Sequence, residues 1–204
     1  MTSPIIIMLN GPSSSGKSTI AESIQKTAKV TFANIGCDFI FSAFDASNKE
    51  RFIASHQRSS EEIVRGYYHV IRSFAEYGNS NVVADTVFQY NSCFHDCVNT
   101  FKDSNAYLIG VHCSLEELKK REAERKDRLI GIAQFQHERV HLHELYDHEV
   151  DTTHCSAEEC AKSILSYIDH NEPAAFRKLV GSGDIEARTY IRPWGAINQN
   201  GGKS

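Results

Sequence analysis

The sequence predicts an α/β domain: a central parallel sheet flanked by helices, with a helical lid. Three observations carry this. Apolar strand-like runs alternate with amphipathic helical segments along most of the 204 residues, the pattern of a parallel sheet with right-handed crossovers. The first run, Ile5 to Leu9, leads directly into Asn10-Gly11-Pro12-Ser13-Ser14-Ser15-Gly16-Lys17-Ser18-Thr19, a Gly-x-x-x-x-Gly-Lys-Ser loop that opens a helix. Two later runs lead to aspartates, Asp38 and Asp85, at the strand ends where open parallel sheets bind their ligands.

The elements follow in order. Ser18 to Thr27 carries Ile20, Ala21 and Ile24 at helical spacing, with Ala28 just beyond. Val30 to Gly36 reads as a second strand, Phe39 to Phe44 as the start of a helix, and Asp45 to Ser59 as a polar loop. Ser59-Ser60-Glu61-Glu62 puts acidic residues in a first helical turn. Ile63, Val64, Tyr67, Val70, Ile71 and Phe74 then repeat helically until Gly78. Asn81 to Ala84 is a short buried strand, Cys93 to Phe101 a helix, and Ala106 to Cys113 a strand. A helix runs from Ser114 to about Lys126, and a last strand spans Val150 to Thr153. Ser156 to Ile168 is a helix capped by Ser156 with Glu159 at its third position. This organisation places a phosphate-loop domain at residues 1–170. Residues 171–204, rich in Gly and Pro, form a C-terminal extension in which Phe176, Leu179, Val180, Tyr190, Ile191 and Trp194 can still dock on the core. Asn198 to Ser204 is expected to be disordered.

Each part of the loop answers a need of polyphosphate binding. Gly11 and Gly16 let the backbone turn successive N–H groups inward, and the new helix aims its dipole at the same anion. Lys17 supplies a cation for the β- and γ-phosphates, and Ser18 a hydroxyl for Mg²⁺. Residues Gly11 through Thr19 are therefore the candidate nucleotide-binding set. A formal charge of −4 gives no reason to expect a nucleic-acid partner. No run is long enough to span a membrane. The six cysteines lack C-x-x-C spacing and read as reduced thiols of a cytoplasmic protein. The oligomeric state is left open, a homo-oligomer included.

Three features gather at the strand ends. Asp38 suits a general base that accepts a proton from an attacking hydroxyl; its plainer reading is a helix cap before Phe39. Asp85 suits Mg²⁺, a metal-held water or the acceptor, and its plainer reading is a cap before Thr86. Arg121, Arg125 and Arg128 recur at steps of four and three on one helical face. Arg125 and Arg128 fit a lid that neutralises a moving phosphoryl group, whereas Arg121 also fits a surface ion pair with Glu117. A fourth string, His137-Glu138-Arg139-Val140-His141, matches the H-E-x-x-H of zinc proteases. It follows the lid segment and lacks a convincing third ligand, so its histidines are read as lining the lid helix or its surface.

With those residues in place, the chain resembles the chloramphenicol phosphotransferase family from about Ile5 to His170. The resemblance rests on Ile6 to Ser18, Gly36 to Ile40, Ala84 to Phe88, Val111 to Cys113, Arg121 through Asp127-Arg128, Gln136, His141, Tyr146-Asp147 and Glu149 to Thr153. It implies the nucleoside monophosphate kinase-like fold of P-loop NTPases. It also implies an ATP- and Mg²⁺-dependent kinase that phosphorylates a hydroxyl of a small molecule, with Asp38 as base. Residues 42–60 do not match the antibiotic kinase, which leaves the acceptor open. Two other readings stay open: a nucleotide or sugar-nucleotide kinase on the same fold, and a nucleotide-gated regulatory ATPase.

Overall fold

The computed structural model of the protein describes residues 3–43, 59–89, 91–124 and 131–181. Five parallel strands are β1 (Ile6–Asn10), β2 (Phe32–Ile35), β3 (Asn81–Thr86), β4 (Ala106–His112) and β5 (His148–Asp151), in the spatial order β2-β3-β1-β4-β5. The helices are α1 (Lys17–Thr27), α2 (Cys37–Ser42), α3 (Ser59–Gly78), α4 (Asn91–Phe101), α5 (Leu115–Glu124), α6 (Ile132–His137), α7 (Ala157–His170) and α8 (Ala175–Gly181).

β1 lies at the centre and is buried along its whole length, so both of its faces must be apolar. Ile6 and Met8 pack on one face with Tyr67, Ile71, Phe94 and Phe101. Ile7 and Leu9 pack on the other with Ile20, Ile24 and Ile164. The strand period of two thus divides one apolar run between two cores. Asn10 stands opposite Thr86, and Ile35 opposite Ala84. β1 and β3 therefore end level and β2 ends two residues before them, so the loops after all three share one rim.

Several boundaries differ from the sequence reading, each for a local reason. β5 ends at Asp151, and the Thr152 N–H makes the last bond to β4, donating to the His112 carbonyl at 2.9 Å. The Thr152 hydroxyl donates to the Ser15 carbonyl at 2.9 Å, and Thr153 Oγ1 accepts from the Ser114 N–H at 2.8 Å. Gly78 remains helical, and it is Asn79 that takes the left-handed conformation (φ 46°). The capping box of α7 forms as expected, with Ser156 and Glu159 satisfying one another's backbone amides.

Two helices had no clear local signal. Entry to α6 is held by the buried Glu122 of α5, whose carboxylate accepts from the Gly131 and Ala133 N–H groups at 2.8 and 2.9 Å. α8, at the start of the C-terminal segment, is held by Asp147. One oxygen of Asp147 accepts from Ala174 and Ala175 N–H (2.7 and 2.9 Å) and the other from Leu108 N–H (2.9 Å). Phe176 then packs on Phe101 at 5.6 Å between ring centroids, so the core draws on residues as far as Leu179. Most of the expected 45–59 loop, the end of the chain, Arg125 and Arg128 lie outside the described residues. Among the described residues no helix is long and apolar enough to cross a membrane.

Candidate active site

A cavity of about 790 Å³ opens at the rim where β1, β2 and β3 end. The phosphate loop forms its floor. A Cβ on Gly11 would stand 2.4 Å from the Val111 carbonyl oxygen and 2.9 Å from Ser15 Oγ, so close approach to β4 requires glycine there. Gly16, at φ 90°, precedes α1, and Ser14 also holds a positive φ of 65°. Lys17 is buried, and its Nζ donates to the Gly11 and Pro12 carbonyls at 2.8 Å each. Ser13, Ser14, Gly16, Lys17, Ser18 and Thr19 line the cavity. Gly11, Pro12 and Ser15 belong to the same loop without lining the cavity. The hydroxyls of Ser14 and Ser15 are buried without a protein hydrogen-bond partner.

Asp38 and Asp85 both line this cavity. Asp38 is not the cap of its helix: Gly36 holds that position, and Asp38 lies in the first turn of α2. The cap comes from across the sheet, where Asp85 Oδ1 accepts from the Cys37 N–H at 2.8 Å. Asp85 therefore does cap, but it caps α2 and not its own segment. It is held in turn by Tyr67, whose hydroxyl, 2.6 Å from the Ile35 carbonyl and 2.9 Å from that of Asp85, ties β2 to β3. Burial, then the nearby Asp85 and Asp38, push the Cys37 thiol up to about 12, so it stays protonated and is no nucleophile.

Arg121, assigned from sequence to either a surface pair or the lid face, does more than pair. Its Nε donates to Glu117 at 2.9 Å, and its two terminal nitrogens donate to Thr152 Oγ1 and the Thr152 carbonyl at 3.1 and 2.8 Å. Through Thr152, which donates to Ser15, the guanidinium is fixed beside the phosphate loop and lines the cavity. Gln136 and Gln89 were not singled out as site residues, although Gln136 was among those carrying the resemblance. Both line the cavity. The buried Gln136 accepts from the Ser13 N–H at 2.6 Å. No periodicity announces such a contact; only a polar residue on the buried side of a short helix hinted at it.

The H-E-x-x-H string does not form the zinc-protease helix. α6 ends at His137, and the following residues are turns. His141 is drawn inward instead, stacked on His112 at 4.0 Å. The Tyr146 hydroxyl accepts from Asn10 Nδ2 at 2.7 Å and lies 2.6 Å from His141 Nδ1, so it donates to an unprotonated nitrogen. His141 and His143 are thus half-buried members of the core behind the loop and do not line a surface. Burial first, then neighbouring His112, His143 and His137, push His141 down to about 3; burial pushes His143 down to about 4. The unfolded chain, with histidines near 6.5, therefore binds more protons than the folded one at acid pH. Stability from these groups is complete above about 6.5 and declines as pH falls toward 4. Urea unfolding at about pH 7.5 and 5 is expected to show this loss, and His143→Phe to reduce it.

The five-stranded parallel sheet, the loop after its central strand and the two strand-end aspartates define the fold of P-loop kinases. An APS kinase of Mycobacterium tuberculosis, solved with AMPPNP and APS, superposes with a TM-score of 0.61 at 15% identity, covering 83% of this chain and 99% of that one. A gluconokinase of Sinorhizobium meliloti superposes with a TM-score of 0.58 at 18% identity, over 89% and 99%. A protein of Mycobacterium tuberculosis strain H37Rv, provisionally named an O-phosphotransferase, is 30% identical over 196 residues, covering 85% of this chain and 87% of that one. Residues 4–169 match the family described as chloramphenicol phosphotransferase-like protein. The chain belongs to that family, and family and fold together support a kinase acting on a small-molecule substrate.

Proposed function

We propose that the chain transfers the γ-phosphoryl group of ATP to a hydroxyl of a small molecule, in a Mg²⁺-dependent reaction in the cytoplasm. The observation that carries this reading is the shared cavity: the phosphate loop with Lys17 forms its floor, and the Asp38 carboxylate lines the same space. The loop fits a polyphosphate on its own evidence. It has a glycine where the loop closes on β4, positive φ at Ser14 and Gly16, and orphaned hydroxyls at Ser14 and Ser15.

Lys17 and the loop amides would hold the β- and γ-phosphates. Ser18, with Asp85, would hold Mg²⁺, which when bound screens the phosphate charge. Asp38 accepts the proton of the acceptor hydroxyl as its oxygen bonds to the γ-phosphorus; the bond to the β–γ bridging oxygen breaks, and ADP leaves. Arg121, together with Arg125 and Arg128, answers the charge spread over the transferred group.

The deciding experiment incubates the purified chain with ATP and Mg²⁺ against a panel of hydroxylated small molecules, with products identified by mass spectrometry. The panel includes chloramphenicol, nucleoside monophosphates and sugar nucleotides. A phosphorylated alcohol is expected. A phosphorylated nucleotide would move the reading to a nucleotide or sugar-nucleotide kinase. Phosphate release with no phosphorylated product would replace it with a regulatory ATPase.

A further inference from the structure

Between the phosphate loop and the β3–α4 connection lies a pair of glutamine side chains whose hydrogen-bond polarity is set by the backbone. An amide side chain alone can be turned either way. Here the choice is forced. The Ser13 N–H can only donate, so the Gln136 atom 2.6 Å away is Oε1. Gln136 Nε2 is then a donor, so the Gln89 atom 2.9 Å from it is Oε1. By elimination the remaining end of Gln89 is Nε2, carrying two N–H groups.

Gln89 is also firmly placed. Its own N–H donates to the Val87 carbonyl at 2.8 Å, and the preceding Phe88 N–H donates to Asn10 Oδ1 at 3.1 Å. Phe88 is buried, edge-on to Phe94 at 5.0 Å between ring centroids. The residue lines the same cavity as Asp38, three to four positions beyond Thr86 and Asp85 in the chain.

We propose that Gln89 is a specificity-determining residue for the acceptor: held as a donor by the relay Ser13–Gln136–Gln89, it selects alcohols with a second oxygen able to accept a hydrogen bond. Such an oxygen is a carbonyl, ether, nitro or further hydroxyl. Gln136 is the positioning residue of the relay. This rests on the kinase reading above.

The test uses steady-state kinetics with chloramphenicol, and with the panel alcohol that turns over fastest, as acceptor probes. Gln89→Glu keeps an acceptor for Gln136 Nε2 but offers the substrate no donor. It is expected to lower kcat/KM for the acceptor about ten- to hundredfold, through KM, with KM for ATP unchanged. Its deficit relative to wild type should narrow as pH falls toward the ordinary glutamate value of about 4.3, where the carboxyl again donates. Gln136→Glu is the sharper variant. Its carboxylate still accepts from Ser13, so the tether to the loop persists, but it cannot donate to Gln89, which then turns its oxygen to the cavity. The acceptor KM is expected to rise as in Gln89→Glu. A purely structural role for the pair predicts wild-type acceptor kinetics in Gln136→Glu, and that result would overturn the proposal. If the wild type phosphorylates no alcohol in the panel, the kinase reading fails, and this proposal fails with it.

Discussion

Replacing Asp38 with asparagine is expected to lower kcat by about 10² to 10⁴, the range supplied by a positioned general base, while ATP binding stays within about twofold of wild type. The substitution is nearly isosteric and leaves a short polar side chain in the first turn of α2. It removes the capacity to take a proton together with one negative charge. The start of α2 does not depend on it, because the helix begins at Gly36 and its first amide is held by Asp85, not by Asp38. Loss of a negative charge in a first helical turn costs about 0.3 to 1 kcal/mol, too little to unfold a domain with two packed cores. Single-turnover phosphoryl transfer and calorimetric titration with ATP separate the two effects. Full turnover in Asp38→Asn would remove this carboxylate from the chemistry.

The second large effect is expected at Lys17. Lys17→Ala deletes a buried cation whose Nζ lies 2.8 Å from two loop carbonyls. A charge-assisted hydrogen bond contributes about 1.5 to 3 kcal/mol, so ATP affinity should fall about ten- to 150-fold. Turnover should fall further, because charge on the transferred group grows in the transition state. The carbonyls of Gly11 and Pro12 lose a donor as well, which destabilises the loop by about 1 to 3 kcal/mol. Titration with a fluorescent ATP analogue and a thermal melt read both consequences. Lys17→Ala should therefore weaken nucleotide binding where Asp38→Asn does not. Equal ATP affinity in the two variants would contradict the assignment of Lys17 to the phosphates.

Much of the site was legible in the chain because its signals are local. The loop is a contiguous string with two glycines at set spacing, and the structure supplies the reason: Val111 crowds Gly11, and Gly16 holds a positive φ. The Ser156–Glu159 capping box was legible for the same reason, since both partners lie within one helical turn. Other features were not legible. The contact from Gln136 to Ser13 spans 123 positions, and that from Thr152 to Ser15 spans 137. Neither leaves a mark in local composition. The H-E-x-x-H string misleads for the converse reason: a helical spacing of ligands has meaning only where a helix forms, and here α6 stops at its first histidine.

The amino-acid order alone determined the class of fold, the position of the glycine-rich loop and which carboxylates stand at strand ends. Backbone propensity, apolar periodicity and the steric freedom of glycine all act over a few residues, so they can be read without coordinates. Only the tertiary structure decided which of those carboxylates caps a helix. Because β3 inserts between β1 and β2, Asp85 reaches the start of α2 and caps it, and Asp38 is released from that duty to line the cavity. The same packing turned Arg121 toward Thr152 and set the donor end of Gln89. Side-chain roles of this kind depend on which strands become neighbours, a property of the whole sheet and not of any one segment.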